Sequence, residues 1–360
     1  MSHSPLGVAF IGGGFMADVH SRAARAAGAR IVSVTSSSPQ STRAAADRIG
    51  AERAIEDVDA LLADPAVDVV HVVTPNATHH ALTARALAAG KHVVCEKPLA
   101  TSVADAHDLE QRASAAGVVA TVPFVYRFHP MVREARARVA AGQVGQLFSA
   151  QGAYLQDWLL AADDDNWRVS TETGGASRAF ADIGSHLCDL LEFVTGDRLV
   201  RLQALTSTVF AERASTGPVS TEDLAGVLAQ TAAGAVVSLL VSQVAPGRKN
   251  GLVLELHGAT ESLRFEQERP EELWIGARTG SRAHLRNNDE LHPDAARLAV
   301  LPPGHPLGYQ DAFTAFAADT YAAVRGARPD GLPVFADGVR AARITDAVLA
   351  SARTGTWIDL

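Results

Sequence analysis

Lys97 stands in Glu96-Lys97-Pro98, directly after a short apolar run, His92–Cys95. An ammonium at the end of a buried parallel strand lies where open α/β sheets bind their ligands. It is costly to bury without a partner or a task. Glu96 can pair with the charge, and Pro98 fixes the backbone just after it. A second group lies downstream, in Ala181-Asp182-Ile183-Gly184-Ser185-His186. Asp182 and His186 are spaced i and i+4 on an expected helix, so they share a face. A carboxylate beside an imidazole orients it and stabilises its protonated form, which suits moving a proton to or from a substrate hydroxyl. Two plainer readings stay open: a surface ion pair contributing roughly a few tenths of a kcal/mol, and a two-ligand metal site. No further His or Cys cluster at metal spacing accompanies the second. Asp189 lies off that face and is expected to orient the helix.

Gly12-Gly13-Gly14-Phe15-Met16-Ala17 fits G-x-G-x-x-A between a first strand and a first helix. Gly12 permits the tight turn, Gly14 lets backbone approach a pyrophosphate, and the helix N-terminus supplies N–H donors. The bland alternative is a tight turn without a ligand. The second strand ends in Thr35-Ser36-Ser37-Ser38, with no carboxylate to repel a 2′-phosphate. These hydroxyls, with Arg43 a turn into the next helix, favour NADP; the absence of an adjacent arginine keeps NAD open. Thr74-Pro75-Asn76-Ala77-Thr78-His79 follows a third clear strand. Asn76 is suited to a ribose or pyrophosphate, or Asn76 or Thr78 caps the following helix. Of His79 and His80, His79 is expected to point into the cleft. Trp167-Arg168 pairs an aromatic with an arginine, which suits a polyhydroxylated or anionic ligand or forms a stacked surface pair. Tyr126-Arg127-Phe128-His129-Pro130 lies past the last strand of the first domain; Arg127 is read as holding cofactor, substrate or Glu96, or as a structural ion pair. Trp158, His257, His305 and Tyr309 are further substrate candidates.

The first ~120 residues that position these groups alternate strand and helix. Strands are expected at Val8–Ile11, Ile31–Thr35, Val69–Val73, His92–Cys95 and Val118–Val122, with helices such as His80–Ala89 and Ala104–Ala116 between them. Continuous Val/Ile strands separated by helices imply a doubly wound parallel sheet, an α/β class. This Rossmann domain is taken as 1–123. The remainder, 124–360, is expected to bind substrate and to oligomerise. Its strands are Leu147–Tyr154, Leu199–Phe210, Leu224–Thr231, Ala235–Val244, Leu252–His257, Leu263–Gln267 and Leu273–Ile275, with a hairpin turn at Ala233-Gly234. They suggest an open, mainly antiparallel sheet with helices on one face. Val237, Leu239 and Val241 line one face of Ala235–Val244, and Val236, Leu240 and Val244 the other. The second face packs on another subunit or under a helix of the same chain. Gln310–Arg325 and Ala336–Ala352 are expected as closing helices, and Asp163-Asp164-Asp165 as a solvated loop.

A length of 360 residues makes two domains the default, and 47% hydrophobic with 20% charged residues is a globular composition. A net charge of −8 argues against non-specific nucleic-acid binding. Cys95 and Cys188 read as buried free thiols. No apolar run reaches ~18 residues, and Met1-Ser2-His3-Ser4-Pro5 lacks the charged and apolar regions of a signal peptide. A cytoplasmic location without a membrane partner is the expectation.

In order along the chain, these residues resemble the Gfo/Idh/MocA family of glucose–fructose oxidoreductase, inositol dehydrogenase and rhizopine catabolism proteins. The likeness runs from Gly12-Gly13-Gly14 with His20, through Thr74–His79 and Glu96-Lys97-Pro98, to Tyr126–Pro130 and Asp182–His186. It ends with Phe335-Ala336-Asp337-Gly338 and Thr354-Gly355-Thr356-Trp357. It implies a Rossmann domain followed by an α/β domain with a large open sheet, through which members associate as homodimers or homotetramers. It also implies NAD(P)-dependent hydride transfer at a hydroxyl or keto carbon of a sugar, inositol or related polyol. Lys97, Asp182 and His186 match the family's catalytic positions. His186 would take the hydroxyl proton, Asp182 would orient and balance the imidazole, and Lys97 would hydrogen-bond the reacting oxygen. The cofactor contacts expected are Gly12, Gly14, Phe15, Met16, Ser36, Ser37, Thr74, Pro75, Asn76, His79, Glu96, Lys97 and Arg127. The substrate contacts expected are Lys97, Tyr126, Trp167, Arg168, Asp182, His186 and Tyr309, with no metal. Val125 stands where the family often has Asn or Gln, and serines replace its usual acid or arginine after the second strand. Two alternatives share the fold: an NAD-retaining lyase, glycosidase or isomerase with transient oxidation, and a non-catalytic ligand-sensing protein.

Overall fold

The structure, a computed structural model, describes residues 4–214 and 216–360; the leading Met1-Ser2-His3 lies outside them. Two compact units form. One comprises the chain through Val125 together with Tyr309–Arg340, and the other Tyr126–Gly308 together with Ala341–Leu360.

The first unit is built on six parallel strands in the order Arg53–Ala54, Arg30–Thr35, Gly7–Ile11, Val69–Val72, His92–Cys95, Ala120–Thr121. Every residue of Gly7–Ile11 and Val69–Val72 is buried, as helices on both faces require. The order reverses beside Gly7–Ile11, and the crevice at the carboxyl ends of those strands is the ligand site of such sheets. Local signals fix the helices. Ser38 and Ser41 cap each other at the start of Pro39–Ile49, and Gly50 ends that helix in the left-handed region.

The sequence reading assigned everything past 123 to one C-terminal domain, whereas Tyr309–Arg340 returns to the first unit. Helix Tyr309–Val324 packs on helix Phe15–Ala26. Phe313 lies 4.9 Å from the His20 ring, and Val122 N–H donates to Pro333 O at 3.2 Å. Apolar burial and an edge-strand bond, both long-range, decide this placement.

The second unit is built on a nine-stranded sheet. From one edge its strands run Gly280–Leu285, Glu272–Ala277, Ser262–Glu266, Gly251–Gly258, Leu147–Leu155, Val236–Ser242, Leu224–Thr231, Leu199–Ser207 and Ile358–Asp359. All pairs are antiparallel except Val236–Ser242 with Leu147–Leu155, which run parallel. Helices Pro130–Ala140 and Ser185–Thr195 pack on one face. Gly152 allows this approach: a Cβ there would sit 2.9 Å from Leu187 Cδ1. Val237, Leu239 and Val241 are buried on that side. On the opposite face Leu205, Leu228, Val236, Leu240 and Phe148 are all exposed, Leu205 to 76%.

Candidate active site

In the first unit, Gly12 adopts φ +113°, and a Cβ there would lie 2.7 Å from Val73 O. Only glycine fits that turn without strain. Gly14 caps helix Phe15–Ala26 with no side-chain hydrogen bond, and a Cβ at Gly14 would meet nothing within 4 Å. The space beside Gly14 at this helix N-terminus is open, and first-turn N–H groups at such an end suit a pyrophosphate. Phe15 is largely exposed beside it and Met16 half-buried. Arg48, missed in the sequence, donates to Gly13 O and to Asp18 Oδ1, bracing the loop from the next helix.

At the end of the second strand, Ser36 N–H donates to Thr42 Oγ1 at 2.9 Å, and Ser37 is exposed. Arg43 does not stand free for a 2′-phosphate: its guanidinium donates to Glu56 at 3.1 Å. Pro75 precedes a 3₁₀ turn, Asn76–Thr78, in which Asn76 is buried and Thr78 Oγ1 donates to Pro75 O and Thr74 Oγ1.

His79 does not open into a cleft. It is fully buried, with Nδ1 2.7 Å from Pro98 O and Nε2 2.8 Å from Thr74 O. It ties the two strand-end loops to each other. Burial holds its pKa below the ordinary histidine value, although both carbonyls pull the other way. Glu96, expected to pair with the Lys97 charge, feels that charge and also holds two hydrogen bonds. Its Oε1 meets His20 Nε2 at 2.9 Å, and its Oε2 accepts the backbone N–H of Lys97 at 3.0 Å. Burial raises its pKa, but the His20 hydrogen bond and nearby positive charge outweigh that and hold it low. Lys97 itself is half-buried. Tyr309, a substrate candidate, opens helix Tyr309–Val324 and meets Phe313 edge-on, with ring centres 5.0 Å apart.

In the second unit the expected helix around Asp182 begins as a π turn, Phe180–Gly184, with Ser185 N–H donating to Phe180 O. Such i→i+5 turns are rare and concentrate at functional sites. Glu222 builds it: Oε1 accepts from Ser177 Oγ, Arg178 N–H and Phe180 N–H at 2.6, 3.0 and 2.9 Å. Arg178 and Arg213 both pair with Asp223, all of them buried. Removing Asp223 would leave two buried guanidiniums without their shared carboxylate.

Asp182 accepts from Gln243 Nε2 at 2.8 Å and lies 3.5 Å from Arg168 Nε. Arg168 in turn stacks over Trp167 at 4.3 Å. His186 opens the following α-helix, is 7% exposed, and is met edge-on by Tyr126 at 5.0 Å. Tyr126 shares a polar cluster with Tyr154 and Asn250: Tyr154 donates to Asn250 Oδ1 at 2.6 Å, and Asn250 Nδ2 donates to the Tyr126 hydroxyl at 3.3 Å. Burial pushes Tyr126 up to about 12, so it stays a neutral donor. Gln156 joins through Asn250 and Trp158. Arg127, expected at the cofactor, has its guanidinium paired with Asp189, Nε to Oδ2 at 2.8 Å, and stacked 4.9 Å over Phe193.

Gln243, Tyr154, Asn250 and Gln156 went unseen in the sequence. The parallel pairing of Leu147–Leu155 with Val236–Ser242 brings Gln156 and Gln243 to the same sheet end. No local pattern announces that pairing. Among the described residues no group of three or more His, Cys, Asp or Glu could hold a metal ion, and no helix is long and apolar enough to cross a membrane.

Residues 6–124 match the family model of oxidoreductases with an NAD-binding Rossmann fold, and 132–264 match the GFO/IDH/MocA C-terminal domain. Levoglucosan dehydrogenase of Pseudarthrobacter phenanthrenivorans is 30% identical over 99% of this chain and 98% of its own. A levoglucosan dehydrogenase solved with NADH and levoglucosan has a TM-score of 0.93 at 31% identity, covering 99% of both chains. An oxidoreductase domain protein from Kribbella flavida reaches 0.92 at 34%, again over 99% of both. An inositol dehydrogenase homolog from Azotobacter vinelandii, with NADH and myo-inositol, reaches 0.87 at 28% over 99% of this chain and 98% of that one. Fold and likeness define an NAD-dependent oxidoreductase that transfers hydride at a hydroxyl or keto carbon of a sugar or polyol. The chain belongs to the Gfo/Idh/MocA family.

Proposed function

We propose that the enzyme oxidises a ring hydroxyl of an uncharged cyclic sugar or inositol, with Lys97, Asp182 and His186 as its catalytic residues. The observation that carries this is the setting of Asp182. The carboxylate is fixed by Gln243 and Arg168 in a π turn one residue before the helix bearing His186. His186 removes the hydroxyl proton as the same carbon loses hydride, Asp182 balances the imidazolium, and Lys97 hydrogen-bonds the reacting oxygen. The nicotinamide supplies hydride acceptance. In reduction the three roles reverse. Tyr126, Trp167, Arg168 and Tyr309 are proposed to contact the sugar. Gly12, Gly14, Phe15, Met16, Ser36, Ser37, Thr74, Pro75, Asn76 and Lys97 are proposed to contact the cofactor. Glu96, His79 and Arg127 would act there through their neighbours.

The hydroxyls of Ser36 and Ser37 support use of NADP beside NAD. The exposed apolar face of the large sheet supports a homodimer or homotetramer. Cys95 and Cys188, both free, support a cytoplasmic location. Incubation with levoglucosan, myo-inositol and common monosaccharides, with NAD and NADP in turn, tests the reading by the growth of reduced-nicotinamide absorbance. At least one of these polyols should drive it. Product formed without any absorbance change would overturn net oxidation.

A further inference from the structure

A buried chain of polar side chains runs through the first unit from Glu96 to Tyr321. His20 Nε2 meets Glu96 Oε1 at 2.9 Å, His20 Nδ1 meets His71 Nδ1 at 2.9 Å, and His71 Nε2 meets the Tyr321 hydroxyl at 3.0 Å. His20, His71 and Tyr321 are each 1% exposed. Aromatic rings surround them: Phe10 lies 5.0 Å from His71, and Phe313 packs against His20. Charge near the two ends comes from Lys97 at Glu96 and Arg325 at Tyr321.

We propose that His20, His71 and Tyr321 are positioning residues that fix the Glu96 carboxylate and, through it, the backbone of Lys97. This rests on the role given to Lys97 above. A carboxylate only accepts, so His20 Nε2 carries a hydrogen. One hydrogen sits between the facing Nδ1 atoms. With His20 neutral, that hydrogen belongs to His71, whose Nε2 is then bare and accepts from Tyr321. Every donor points one way, from phenol to carboxylate. Glu96 then has one oxygen on His20 and the other on the Lys97 N–H. Burial keeps His71 well below the ordinary histidine pKa and raises Tyr321, so His71 and Tyr321 both stay neutral beside the Glu96 carboxylate. Removing the phenol hydroxyl leaves His71 Nε2 a buried acceptor without its donor.

Nitrogen NMR of the ¹⁵N-histidine-labelled whole protein reads this in the wild type without needing a substrate. His20 should show hydrogen on Nε2 and His71 on Nδ1, with His71 unchanged across the neutral range. Mixed tautomers, or titration of His71 near neutrality, would overturn the chain. Tyr321→Phe should shift the His71 Nε2 signal as it loses its donor, and lower kcat about tenfold with an unchanged KM for NAD, assayed on the polyol that best drives wild-type turnover. A kcat within twofold of wild type would also overturn it. Lys97→Met separates the two readings. If that variant keeps full turnover while the tautomers stay fixed, the role of Lys97 is lost and the histidine geometry stands.

Discussion

Replacing Gln243 with leucine removes the amide that donates to Asp182 Oδ2 and leaves Arg168 as its remaining described partner in the second unit. The carboxylate would then orient His186 less well. We expect kcat to fall roughly tenfold, with little change in NADH binding measured by fluorescence. His129 makes a pH prediction. Burial lowers its pKa to about 4 from the usual 6.5. A histidine held neutral takes its proton only on unfolding, so the unfolded chain binds more protons between those values. Its contribution is therefore fully present above 6.5 and lost as pH falls toward 4. His71 and His79 shift in the same direction. His129 alone makes this loss about 3 kcal/mol. Urea midpoints measured across that window should fall steeply with acid, and His129→Phe should flatten the slope. Lys97, Asp182 and His186 are the candidates that stand out in the sequence at this scale. Their partners do not, since Tyr321 lies 250 positions from His71, and no local rule spans that distance.

At the scale of elements, two glycines of one turn should behave differently. Gly14→Ala meets no neighbour within 4 Å, so the fold should keep its melting temperature. The added methyl enters the space proposed for the pyrophosphate, so the Kd for NADH should rise tenfold or more by titration. Gly12→Ala puts a Cβ at positive φ and 2.7 Å from Val73 O, so it should destabilise the fold by about 1–3 kcal/mol in thermal or urea unfolding. The parallel sheet and this turn were readable because continuous apolar runs and a glycine triplet are local signals. The π turn was not. It depends on Glu222, some forty positions away, accepting Ser177, Arg178 and Phe180. Nor was the parallel pairing of Leu147–Leu155 with Val236–Ser242, because register across a large sheet is set by packing rather than by either strand.

For the whole molecule, both apolar faces of Val236–Ser242 were visible in the sequence, but what covers the second was not. Leu228 and Leu240 stay exposed on neighbouring strands. Leu228→Glu with Leu240→Glu should dissociate the proposed oligomer in light scattering and leave the circular dichroism of the fold intact; an unchanged mass would contradict association through this face. The return of Tyr309–Arg340 to the first unit was equally hidden, since its helix has the same apolar pattern whichever sheet it joins. The proposed chemistry draws on Lys97, Asp182 and His186. Turnover of Lys97→Met tests it most directly, measured on the polyol that best drives wild-type reduction of NAD. We expect kcat to fall at least a hundredfold while NADH binding is retained. A variant that turns over within threefold of wild type would contradict the assignment.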